Sequence, residues 1–164
     1  MFRYYSYEII FYLYFVQRLL FILFFVGTIN VFPNPLLIGN WNGFIVQKYD
    51  TEYPVYLPCT INISSISSVN QVSGTIEIAV HHSNGKIYKS KANISGSFNP
   101  NTYQINLINE QFIYQDILPE NGKWCLGIFN GGVYRSKTAK QYLFKGRYIT
   151  KCDNSEALLV VYKQ

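Results

Sequence analysis

Few side chains in this chain have the types and spacing for chemistry. His81 and His82 are its only two histidines, and they are adjacent. Neighbours in a strand point to opposite faces, so the pair cannot close on one metal from one side. Beside Ser83-Asn84-Gly85, both are expected to meet solvent. The carboxylates are scattered through turns and faces, which does not give the two positioned acids of glycoside hydrolysis. Glu77 lies opposite an aliphatic row and reads as a solvent-facing cross-strand partner. No Gly-x-Ser-x-Gly elbow, P-loop or dinucleotide-binding spacing occurs. The sequence therefore assigns no catalytic residue, no metal and no cofactor.

The three cysteines are Cys59, Cys125 and Cys152. None forms a C-x-x-C pair, so a zinc ribbon or a thioredoxin-type site does not fit. In an exported domain, Cys125 with Cys152 is the expected disulfide, because both lie in strand-like segments near the C-terminus that neighbouring strands could bring together. Cys59 would then be a buried free thiol. Sequence alone leaves all three single bridges open. Asn62-Ile63-Ser64 and Asn93-Ile94-Ser95 match the glycosylation pattern, but they fall within strand segments and read as products of composition.

The elements that must position these groups follow from composition and pattern. Aromatic residues make up 18% of the chain and charged residues only 14%. Abundant Tyr, Ile, Val and Thr suit half-buried pleated surfaces. Eight strand segments are expected: Gly39–Gln47, Val55–Ser64, Val72–His82, Lys86–Phe98, Tyr103–Tyr114, Lys123–Phe129, Lys140–Lys151 and Ala157–Lys163. In the third, Ile76, Ile78 and Val80 share one face. Asn84-Gly85 is a strong hairpin signal. In the fifth, Tyr103, Ile105 and Leu107 share a face, and the apolar parity then changes near Ile108–Glu110, which predicts a bulge. Asn130-Gly131-Gly132 is expected to loosen the end of the sixth, with a polar connection over 134–138. Consecutive hairpins without helices imply antiparallel neighbours. The fold class expected is all-β, an eight-stranded antiparallel up-and-down barrel. A β-sandwich of the same strands is the alternative.

Residues 1–30 are dominated by aliphatic and aromatic side chains and read as a signal peptide or membrane anchor, a hydrophobic helix ahead of the barrel. Leu19–Val26 has the length of an export-signal core and follows Arg18, with Gly27 and Thr28 after it. Taken whole, Ile9–Ile29 is about 21 residues, enough to span a bilayer, but Arg18 in its middle would cost roughly 2.5–3.5 kcal/mol. Residues 31–37, with Pro33 and Pro35, read as a linker, and 38–164 as the barrel domain. Export to a periplasmic, extracellular or membrane-anchored location is the expectation. The first thirty residues carry two arginines and one glutamate, so the remainder keeps +4 of the net charge of +5. Lysines on edges and loops suffice to explain that excess, and no aromatic-rich RNA-binding segment is present, so no nucleic-acid partner is expected.

Gly39-Asn40-Trp41, opening the first strand, resembles the Gly-x-Trp start of lipocalins and related calycin barrels. Ser73-Gly74-Thr75, Gly96-Ser97-Phe98 and Trp124-Cys125 are similar to patterns in small exported barrels of bacterial envelopes. The resemblance implies that Trp41 closes one end and packs near a late-strand arginine, which here would be Arg147. Gly39, Trp41 and Arg147 are thus the expected closure residues. Rows of Tyr and Phe lining an apolar interior give the expected function, a non-enzymatic barrel that binds a small lipophilic molecule inside. The alternative is an envelope structural or protein-interaction module with a filled barrel, associated with membrane or envelope. A hydrolase or isomerase at the barrel mouth is the third reading. No set of biotin-contacting residues is evident.

Overall fold

The computed structural model describes residues 36–47, 54–137 and 140–164. The expected N-terminal helix, and the assignment of 1–30 as signal or anchor, lie outside the described residues. Eight strands follow one another: β1 (Gly39–Gln47), β2 (Val55–Ile66), β3 (Gln71–His81), β4 (Ile87–Asn99), β5 (Gln104–Gln115), β6 (Gly127–Arg135), β7 (Tyr142–Thr150) and β8 (Glu156–Lys163). Each pairs antiparallel with its sequence neighbour, and β1 pairs with β8 to close the barrel. The expected all-β up-and-down barrel is therefore the fold, and the sandwich is not. Pro33–Gln164 is a compact unit of its own, and all eight strands find their partners within it.

The up-and-down order defines two ends. The proximal end receives the chain at Leu36–Gly39 and carries the β2–β3, β4–β5 and β6–β7 connections. The distal end carries the β1–β2, β3–β4, β5–β6 and β7–β8 connections. Alternation sends Cys59, Ile61 and Ile63 of β2, Ile76 and Ile78 of β3, and Leu159 and Val161 of β8 into one core. On β5 the inward row runs Ile105, Leu107, Asn109 and then Phe112. The parity change comes from extra residues on β5: Ala92 and Ile94 face Phe112 and Asn109, and Lys91 faces Tyr114. Tyr103 does not share that row. It sits before the strand at φ 56° and is exposed.

The sixth strand departs most from expectation. Residues 123–126 are not strand, and β6 runs through Asn130-Gly131-Gly132 to Arg135, pairing with β7 throughout. The glycines here serve a close approach, not a chain end. A Cβ on Gly131 would sit 2.5 Å from the Lys145 carbonyl oxygen and 2.5 Å from Phe129 Cζ. The missing side chains of the Gly131–Gly146 pair leave interior space that the Phe129 ring takes.

Candidate functional site

Trp41 plugs the proximal end and is fully buried. Its Nε1–H donates to the Leu37 carbonyl at 2.9 Å, which satisfies the one polar atom of the ring. Its face stacks on Phe144, centroids 3.7 Å apart and planes inclined by 17°. Gly39 turns the chain into the barrel at φ +123°, a conformation open to glycine. Leu37 is also fully buried and belongs to this plug.

Arg147 does not meet Trp41. Its position on β7 has the parity of Lys145, and both point outward, while Phe144 and Tyr148 point in. Arg147 instead forms an exposed ion pair with Glu156 on β8. The cation over the indole is Lys163, its Nζ 5.7 Å from the ring centroid, also donating to the Leu36 carbonyl. Partial burial pulls its pKa below the usual lysine range. The signal was in the sequence: Ala157, Leu159 and Val161 are inward, and Lys163 is the next residue of that row.

The distal interior is more polar. Ser90, Asn109 and Thr150 are buried there beside Cys59, Tyr88 and Tyr148. Asn109 Nδ2 donates to Tyr148 Oη at 2.8 Å, and Lys151 Nζ donates to the Asn109 carbonyl at 3.0 Å. Burial pushes the Cys59 thiol up to about 12, so it is not a thiolate nucleophile near neutral pH. Burial likewise raises the Tyr148 phenol, with the Asn109 hydrogen bond opposing that shift. Above this region the β5–β6 segment is held by the Cys125–Cys152 disulfide, Cα atoms 5.7 Å apart. Trp124 Nε1 donates to the Asp116 carbonyl at 2.7 Å, and Lys151 N donates to the Leu126 carbonyl at 2.7 Å. Trp124 and Leu126 pack against the core.

A groove of about 500 Å³ lies on the outside of the wall formed by β1–β4. Its lining residues include Phe44, Pro58, Thr60, Glu77, His81 and Lys89. The side chains of all six lie on the outward parity of their strands. Glu77 is tied to Lys89 at 3.2 Å and accepts from Tyr114 Oη at 2.9 Å. Partial burial works against its charged form, but the Tyr114 and Lys89 hydrogen bonds outweigh it and hold the carboxyl below the usual range. Phe44 meets Tyr56 edge-on at 6.1 Å. His81 is exposed, and His82 lies edge-on to Tyr88 at 6.1 Å. Among the described residues, no three His, Cys, Asp or Glu side chains converge as metal ligands. A second depression of about 460 Å³, near Asn70, Ser97 and Gln104, is lined largely by polar residues. Period-2 patterning had no signal for either depression, since the first depends on how four strands lie side by side and the second on two turns meeting at the proximal end. No protein-family model and no curated protein matches this chain.

Proposed function

We propose that this is an exported, non-enzymatic barrel of lipocalin-like build that works as an interaction module. Its interior is occupied by its own side chains, and its outer wall meets the partner. The observation that carries this reading is the packing of the interior. Trp41, Ile61, Ile105, Leu107, Phe129, Phe144, Leu159 and Val161 are each at most 2% exposed and belong to one contact cluster. Side chains so fully covered are packed against one another at the density of a protein interior. The groove along β1–β4 joins an aromatic edge at Phe44 to the Glu77–Lys89 pair, which suits a partly polar partner. The lipocalin-like reading draws on the Gly39–Trp41 start and the closed order of the strands, with Lys163 in the place of the arginine. The disulfide is consistent with an oxidising compartment.

A second reading, a small lipophilic ligand inside the barrel, draws on the distal interior, where Ser90, Asn109 and Tyr148 could orient a polar head group. Titration with an apolar naphthylamine dye separates the two. The filled barrel gives no saturable fluorescence rise, and native mass spectrometry of the purified protein gives the mass of the bare chain. A one-to-one saturable signal that Leu159→Trp abolishes, in a variant that still unfolds cooperatively, would overturn the filled-barrel reading.

A further inference from the structure

The two ends of the barrel carry different charge. Among the described residues, Asp116, Glu120, Asp153 and Glu156 lie at the distal end, and Glu77 and Glu110 lie along the walls. No Asp or Glu side chain is on the described connections of the proximal end, whereas Arg135, Lys137 and Lys140 are exposed there around the β6–β7 connection. The same end carries uncovered apolar and aromatic side chains. Val69 of the β2–β3 turn is 71% exposed, Tyr134 at the end of β6 54%, Tyr103 of the β4–β5 turn 51%, and Ile38 38%. The β6–β7 connection thus presents cations beside Tyr134, the β2–β3 and β4–β5 turns add Val69 and Tyr103 at the same end, and that end is where the chain arrives from the apolar run of residues 9–29.

We propose that the proximal end is a bilayer-facing surface that takes anionic lipid head groups on Arg135, Lys137 and Lys140 while Val69, Tyr103 and Tyr134 enter the interfacial layer. The chemistry on both sides matches. Exposed cations are attracted to an anionic leaflet within a Debye length. Tyrosine prefers the head-group level, where its ring is covered and its hydroxyl stays wet. The proposal rests on the export or anchoring reading for the arrival of a tether at this end. The charge and apolar pattern of the face stand apart from that reading.

The test uses the barrel, Pro33–Gln164, which is compact by itself, and vesicles of phosphatidylcholine with and without about a quarter phosphatidylglycerol. The barrel is expected to sediment with the anionic vesicles, to be released by salt, and to ignore phosphatidylcholine alone. Replacing Arg135, Lys137 and Lys140 with Gln should weaken partition about tenfold to a hundredfold. Val69→Ser with Tyr103→Ser should weaken it further, and Lys86→Gln with Lys123→Gln, at the distal end, should leave it unchanged. Circular dichroism checks that each variant is folded. Absence of binding to anionic vesicles, or equal loss in the distal variant, overturns the proposal. Carbonate extraction of the full chain tests the anchor separately. A resistant full chain with an indifferent barrel sinks the lipid face and leaves the anchor. An extractable full chain whose barrel binds sinks the anchor and leaves the face.

Discussion

Replacing Trp41 with alanine tests the closure directly. The indole is fully buried, stacked on Phe144 at 3.7 Å and hydrogen-bonded to the Leu37 carbonyl. Removing it empties the proximal plug, and the closed wall around it cannot collapse far into the space. Loss of a buried aromatic side chain in such a site costs about 3–5 kcal/mol, against a total stability of about 5–15 kcal/mol for a domain. The lost hydrogen bond contributes about 1 kcal/mol of this. Urea unfolding followed by circular dichroism should show a midpoint lower by roughly 1.5–3 M, taking a slope of about 1.5–2 kcal/mol per M. Two companion variants apportion the effect. Trp41→Phe keeps a ring against Phe144 and gives up the N–H, so it should cost less than half as much. Lys163→Met removes the cation over the ring and should cost about 1 kcal/mol, whereas Arg147→Met, on the outer wall, should cost under about 0.5 kcal/mol. A Trp41→Ala midpoint near that of wild type would refute the plug. Arg147→Met costing more than Lys163→Met would refute the assignment of the cation.

Gly131→Ala is expected to destabilise by about 1–3 kcal/mol, because the new methyl meets backbone of β7 that cannot yield easily; an unchanged melting temperature would contradict the close packing of β6 on β7. The Cys59 thiol, buried and pushed up to about 12, should resist iodoacetamide at mild alkaline pH in the native protein and react at once in urea. Fast labelling of the folded chain would place it outside the core. Asp153 accepts from Thr150 Oγ1 and from the Ser155 N–H at 3.0 Å, and the Thr150 hydrogen bond leads in lowering its carboxyl to about 2. A folded pKa below the unfolded one stabilises the native state above the unfolded value, near pH 4, and is lost as pH falls toward about 2. Asp153→Asn should therefore lower the urea midpoint at neutral pH, and the difference from wild type should vanish below about pH 2; a difference that persists there would contradict the linkage.

The strand count and most strand bounds were legible because period-2 alternation and turn chemistry are local. Ile76, Ile78 and Val80 reveal a buried face without reference to any other segment, and Asn84-Gly85 marks a hairpin from two residues. The bulge in β5 was legible for the same reason, as a switch of parity from Leu107 to Phe112. The glycines at 131 and 132 misled. A Gly-Gly step reads equally as a loosened end or as a place where two backbones meet, and only the presence of Gly146 opposite distinguishes the two.

By itself the sequence determined the all-β class and the order of the hairpins. These depend on side-chain types at short spacing. Only the tertiary structure decided which cation meets the indole, because closure brings β1 against β8 and the inward row of β8 carries Lys163 to Trp41. It alone also decided that the outer face of β1–β4 is hollowed into a groove, and that the cations of the β6–β7 connection gather with exposed Val69, Tyr103 and Tyr134 at the end where the chain arrives. Each depends on wall curvature and on which end a turn occupies. An up-and-down barrel sets both by joining residues more than a hundred positions apart.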